Sequence, residues 1–166
     1  YSPCLHVHPF FHTYIDICPQ VMMKVCHEAA GMQFVSAGDK IFYAGEFDAD
    51  SKMLIICKGE LLYAPMYGER ANVQKDDWVS EACLWTEWVH QGLLVACNNC
   101  RICALDSHLF QDISSRFSSN EFDPRPYASA FVTELNSRAQ HPENGELSDL
   151  PMAMESAIVT KLMFKA

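Results

Sequence analysis

Two groups of cysteine and histidine are spaced closely enough to hold a metal or carry redox chemistry. Cys97, Cys100 and Cys103 recur every third residue, and thiolates two residues apart commonly share a zinc ion. Cys4, His6 and His8 alternate, with His12 close by, so an extended segment would turn three ligand-competent side chains to one side. Each group also has a plainer reading. The cysteine triplet spans two strands and a turn in the pattern below, and alternation sends odd and even strand positions to opposite faces. Structural thiols are therefore the preferred assignment, with a metal or redox module on Cys97, Cys100 and Cys103 as the alternative. The histidine group has no recognisable second half of a ligand set. The chain contains no nucleophile elbow, no Gly-rich phosphate loop and no His-Glu-x-x-His helix, so neither catalytic residues nor a metal site are assigned and a non-enzyme is expected.

Composition sets the frame for that chemistry. The 166 residues suit one domain with helical appendages, and 12 Lys+Arg against 21 Asp+Glu give a formal charge of -9. Binding to nucleic acid draws most of its affinity from cations, so a nucleic-acid partner is excluded. With 49% hydrophobic and 20% charged residues, the chain can bury a core. No apolar run reaches the ~18 residues of a membrane span, so direct membrane insertion of this piece is not expected. The absence of a basic start followed by a short apolar core predicts a cytoplasmic, reducing setting. In that setting Cys4, Cys18, Cys26, Cys57 and Cys83, scattered among apolar residues, read as buried reduced thiols.

Periodicity along the chain defines the secondary structure around these residues. Phe10, Phe11, Tyr14, Ile15 and Cys18 form a helical stripe, and Pro19 opens a second helix carrying Val21, Met22, Val25 and Cys26. From Gly31 the pattern changes to short runs rich in Val, Ile, Phe, Tyr and Leu: 32–37, 40–43, 53–58, 60–64, 71–73, 93–97 and 101–105. Gly38-Asp39, Gly45-Glu46, Lys58-Gly59 and Tyr67-Gly68-Glu69 supply the turns. Ser80 to Trp85 interrupts this rhythm with good helix formers behind a serine that can cap them. Helical patterns resume at Ser107–Phe117 and from Pro126 through Tyr127, Phe131, Val132 and Leu135, and a last helix-compatible stretch runs from Met152 to Phe164. The acidic run Glu143–Asp149 reads as a solvated linker. The fold class predicted is mixed and mainly β: an antiparallel, jelly-roll-like β-roll over residues 31–106, an N-terminal helical connector over 1–30, and C-terminal helices and tail over 107–166.

This order resembles the cyclic nucleotide-binding domain family, shared by the catabolite activator protein, regulatory subunits of cyclic-nucleotide-dependent kinases and cyclic-nucleotide-gated or ether-à-go-go-type channels. The resemblance covers roughly residues 32–117. It rests on Gly38-Asp39 and Gly45-Glu46 flanking Ile41 and Phe42, on Met53-Leu54-Ile55-Ile56 running into Lys58-Gly59, and on Ala96, Cys100, Leu105-Asp106 and Phe110 in order. In that family the inserted turn, here 79–93, is a phosphate-binding cassette. Laid on without gaps, Ser80 takes the cassette glycine, Glu81 the glutamate, Cys83 the alanine after Ala82, and Leu84 the leucine. His90 falls at the arginine, Gln91 and Gly92 at the small pair, and Leu93 at the Ser/Thr. The resemblance implies that the glutamate would accept from a ribose 2'-hydroxyl and the arginine position would pair with the cyclic phosphate.

The departures decide the expected activity. Histidine offers one donor where arginine offers a charged fork, which costs roughly ten- to a hundred-fold or more in affinity. Glu87 adds negative charge, Trp85 and Trp88 add bulk, and no Lys or Arg occurs between Lys75 and Arg101. Trp78, Trp85 and Trp88 read chiefly as packing for the cassette, with a plug in a vacant pocket as the alternative. His6 and His8 also resemble a cupin's first motif, but the later cupin glutamate, glycine and histidine do not follow at cupin spacing. The resemblance thus implies a regulatory domain of a larger signalling protein, a cation channel first, with weak or absent cyclic AMP or cyclic GMP binding and no cofactor. A functional cyclic AMP or cyclic GMP sensor in a channel or protein kinase is the alternative. The partners implied are the parent's gate or catalytic domain, with self-association through the N-terminal helices, and the helix around Phe131 is expected to act as a lid.

Overall fold

The computed structural model describes residues 2–152, so the helix-compatible stretch Met152–Phe164 falls almost wholly outside the described residues. Helices come first: α1 spans Ser2–Leu5, α2 Pro9–Ile17 and α3 Pro19–Glu28. α2 and α3 each place proline in the first turn, where its missing N–H has no intrahelical role. Their buried residues, Phe10, Phe11 and Tyr14, then Met22 and Val25, recur at helical spacing. Four residues are too few to show a period, which is why α1 has no signature in the sequence.

The strands are β1 Ala30–Val35, β2 Lys40–Phe42, β3 Lys52–Lys58, β4 Glu60–Pro65, β5 Ala71–Gln74, β6 Trp78–Val79, β7 Gly92–Ala96 and β8 Cys100–Asp106. They form two antiparallel four-stranded sheets, ordered β1-β8-β3-β6 and β2-β7-β4-β5. Seven of them match the predicted runs with ends shifted by up to two residues. The two-residue β6 is the exception, held by the pairs Leu54↔Val79 and Ile55↔Trp78.

β3 explains the layering. Its run Met53-Leu54-Ile55-Ile56 is apolar on both faces because both faces are covered. Leu54 and Ile56 join Leu61, Tyr63, Val73, Leu94 and Ile102 in a core between the sheets. Met53 and Ile55 join Phe10, Phe11, Tyr14, Met22, Phe110 and Phe131 in a second core under the helices. Each large side chain so buried contributes about 1.5–3 kcal/mol. β8 divides likewise: Cys100 belongs to the inter-sheet core and Cys103 to the helical one.

After β8, the Asp106 carboxylate accepts from the Leu109 amide at 2.9 Å and caps α4, Ser107–Arg116. α5, Arg125–Gln140, buries Tyr127, Phe131 and Leu135 on one face and ends in a 3-10 turn over Pro142–Asn144. Among the described residues no helix is long and apolar enough to cross a membrane.

Candidate functional site

The turn between β6 and β7 lies where helices from both ends of the chain meet the roll. Ser80 opens it with φ 63° and ψ 29°, a left-handed conformation that favours glycine. The expected serine cap is absent. Ser80 Oγ is buried without a hydrogen-bond partner among the described residues, and the short helix is a 3-10 turn over Glu81–Leu84. The left-handed backbone aims the side chain away from the amides it would have capped. Ala82 and Cys83 are buried beside it, and burial pushes the Cys83 thiol up to about 12. The side-chain amide of Gln111 on α4 donates to the Leu84 carbonyl at 2.9 Å and fastens the turn from outside.

Glu81 is fully enclosed, and protein donors take both of its oxygens. His8 Nε2, at the head of α2, donates to Oε2 at 2.9 Å. Tyr127 on α5 and the Trp85 indole donate to Oε1 at 2.7 and 3.3 Å. Burial alone would raise the Glu81 carboxyl, but the His8 charge and the bonds from His8, Tyr127 and Trp85 outweigh it and hold the group below its ordinary value. The Tyr127 hydroxyl is pushed up, by burial first and then by the Glu81 charge and hydrogen bond. One carboxylate thus joins the N-terminal helices, the cassette turn and the C-terminal helix.

The second carboxylate of the site is Asp149. Its run was expected to be solvated; instead the Asp149 side chain is 0% exposed, because the segment turns back into the mouth of the roll. Trp88 Nε1 and His90 Nδ1 donate to Oδ1 at 2.7 and 2.8 Å. The Gln91 amide and the Tyr63 hydroxyl donate to Oδ2 at 2.7 and 2.8 Å. An ionised carboxylate has about four acceptor sites, and these donors fill them. The backbone adds two bonds, Ser80 N–H to the Asp149 carbonyl at 2.7 Å and Asp149 N–H to Tyr63 Oη at 3.2 Å. Burial raises the Tyr63 hydroxyl to about 12, which keeps it a neutral donor.

The remaining cassette residues are shaped around this contact. His90 stacks on Phe42 with ring centroids 3.7 Å apart and planes 6° from parallel, which fixes its Nδ1 toward Asp149. Gly92 is required by packing: a Cβ there would lie 2.6 Å from the Tyr63 ring and 2.7 Å from the Ala64 carbonyl. Leu93 pairs with Ala64 in the sheet and touches neither carboxylate. Among the described residues, a cavity of about 40 Å³ lies between Glu81, Ala82, Phe131, Leu135 and residues 146–152. Ligand pockets typically need about 300 Å³ or more. A larger cavity of about 480 Å³ lies between the Leu84–Trp85 end of the cassette turn, α4 and the start of α5, lined also by Phe110, Ser114, Phe122 and Arg125 among others.

The structure therefore brings Ser80, Glu81, Ala82, Cys83, His90, Gln91 and Gly92 around two buried carboxylates and leaves Leu93 aside. Tyr63, Tyr127 and Asp149 complete the site and carry no sequence signal of it, while Trp88, read as cassette packing, also donates to Asp149, and His8, a candidate metal ligand by spacing, bonds Glu81 instead. The one available signal is the density of donors, with Trp85, Trp88 and His90 within six positions. Neither cysteine–histidine group assembles. Cys97 is exposed while Cys100 and Cys103 lie on opposite faces of β8. His8 is committed to Glu81, and His6 Nδ1 lies 3.0 Å from His12 Nδ1. Among the described residues no cluster of three or more His, Cys, Asp or Glu is arranged to hold a metal ion.

No protein-family model matches the chain, and no curated protein matches it. Solved structures do. PfPKA-R bound to cAMP superposes with a TM-score of 0.59 at 17% identity, over 89% of this chain and 47% of that one. The regulatory domain of Toxoplasma gondii PKA with cAMP gives 0.59 at 16% identity, over 83% and 49%. The C-linker/CNBHD of zELK channels, crystallised in the presence of cAMP, gives 0.58 at 14% identity, over 91% and 66%. The chain spans about half the length of the first two.

Proposed function

We propose, for a chain whose fold is that of the cyclic nucleotide-binding domains, a regulatory role without catalysis in which the pocket is occupied from within. The observation that carries this reading is the Asp149 carboxylate seated on His90, Trp88, Tyr63 and the Gln91 amide. His90 stands at the position where the family resemblance implies an arginine for the cyclic phosphate. A carboxylate there takes the charge-assisted bonds, each worth about 1.5–3 kcal/mol, that an anionic ligand would need. Glu81, at the position implied for the ribose, has its acceptor sites committed to His8, Tyr127 and Trp85. Cyclic AMP or cyclic GMP binds weakly or not at all, and no cofactor is used.

The parent in this reading is a larger signalling protein, a cation channel before a protein kinase, with the domain on its cytosolic face. Its partners are the gate or catalytic domain of that parent, with self-association through α2 and α3 as a further contact. Helix α5 lies as a lid whose Tyr127 closes on Glu81, and α2 reaches the same carboxylate through His8. A change in occupancy of the cassette therefore bears on both ends of the chain. Calorimetric titration with cyclic AMP and cyclic GMP tests the reading. No saturable heat is expected up to about 1 mM nucleotide, a free energy near -4 kcal/mol; micromolar binding by either nucleotide would instead establish the functional sensor.

A further inference from the structure

We infer that Cys4 and Cys57 form a redox site, closing to an intramolecular disulfide that clamps α1 onto the roll when the pair meets an oxidising thiol couple such as glutathione disulfide. The cysteines singled out by spacing do not converge, but these two do, across 53 positions of sequence. Their sulfurs are 2.9 Å apart and both residues are only partly buried, so a small oxidant reaches them. The contact is closer than the roughly 3.8 Å that separates two sulfurs on one tetrahedral zinc ion with 2.3 Å bonds.

The backbone explains how Cys57 comes to be there. The β3–β8 register runs Ile55↔Cys103 and Ile56↔Ile102, then shifts so that Lys58, not Cys57, faces Arg101. Cys57 is the unpaired residue at this irregularity, and a bulge re-aims its side chain. On the other side, α1 is anchored by Leu5, which is fully buried. That anchor holds Cys4 over the end of β3.

The electron balance is that of thiol–disulfide exchange. One Cys thiolate attacks a sulfur of glutathione disulfide and expels one glutathione thiolate. The second Cys thiolate attacks the protein sulfur of the mixed disulfide and expels the other. The two thiol protons pass to the departing glutathione thiolates, so two electrons leave the protein and two reduced glutathiones are made. Burial, with the hydrogen bond and charge of Cys4, pushes the Cys57 thiol up to about 11, so closure runs faster in alkaline buffer, where more thiolate is present. Closing a loop of this length is expected to raise Tm on the order of 10 °C. This restrains the N-terminal helices independently of what fills the cassette.

The test uses the whole chain with the exposed Cys97 changed to serine, equilibrated in glutathione buffers from reducing to oxidising, then alkylated and mapped by mass spectrometry. The expected result is loss of two hydrogens, a cross-linked peptide pair holding Cys4 and Cys57, and a Tm increase that Cys4→Ser and Cys57→Ser each abolish. The inference is overturned by a stable glutathione adduct on either cysteine, by a cross-link involving Cys26 or Cys103, by co-purified zinc bound to the pair, or by no oxidation under buffers that oxidise an exposed model dithiol. The mapping on the Cys97→Ser chain decides the matter even where a Cys4 or Cys57 variant fails to fold. Nucleotide titration does not enter the readout, so failure here leaves the reading of the cassette standing.

Discussion

Replacing Asp149 by alanine removes one acceptor from four donors, and the structure indicates how many of them stay unsatisfied. The Tyr63 hydroxyl can rotate, and His90 can move its proton to the other ring nitrogen. The Trp88 indole N–H and the Gln91 amide have no such freedom, and both point at the vacated carboxylate. An orphaned buried donor costs about 1–3 kcal/mol, so the buried Trp88 indole with the half-buried Gln91 amide costs about 3–4 kcal/mol. Water entering the vacated volume returns part of this, leaving a net loss of about 3 kcal/mol. For a chain of 166 residues that lowers Tm by about 6–12 °C. The hole left is carboxylate-shaped and lined with donors, so acetate at about five times its dissociation constant should restore about 1 kcal/mol, or roughly 2–4 °C, to the variant and nothing to the native chain. Thermal denaturation followed by circular dichroism, with acetate against chloride at equal ionic strength, reads both effects. A Tm loss below about 2 °C, or equal acetate effects on the two proteins, would refute the assignment of Asp149 as the occupant.

Two further predictions concern the cassette turn. Because the Glu81 carboxyl is held below its ordinary value, it contributes stability that is fully present above an unfolded carboxyl's pKa of about 4.3 and is lost as pH falls through the lower folded value. Urea denaturation should therefore show Glu81→Gln less stable than native by about 1–3 kcal/mol near neutrality, with the gap closing in acid; a gap constant with pH would contradict the assignment. Ser80→Gly removes both a left-handed serine and a buried hydroxyl that has no partner among the described residues. A gain of about 1 kcal/mol, or 2–4 °C in Tm, is expected, and a lowered Tm would show that the hydroxyl has a role the contacts do not explain.

The roll is legible in the sequence because its determinants are local. The doubly apolar run Met53–Ile56, the glycines with positive φ at 38, 45, 59 and 68, and the proline-started helices each act over a few residues. β6 escapes because two residues cannot display a period, and its pairing is set by β3. The cassette turn is visible as an interruption, but its occupant is not. Asp149 contacts Tyr63 from 86 positions away and His90 from 59. An acid in an acidic tract carries the same local signature whether solvated or buried on donors. The same limit hides the pairing of His8 with Glu81 and of Cys4 with Cys57, while Cys97, Cys100 and Cys103, adjacent in sequence, are separated by strand alternation.

The central claim, that the chain fills its own cassette, is tested most directly by the Trp88 indole proton in a nitrogen-15-resolved hydrogen-exchange measurement. Buried and bonded to Asp149 at 2.7 Å, it should exchange roughly 10- to 150-fold more slowly in the native chain than in Asp149→Ala, the factor expected for removing a bond worth about 1.5–3 kcal/mol. Exchange at the same rate in both proteins would contradict the account.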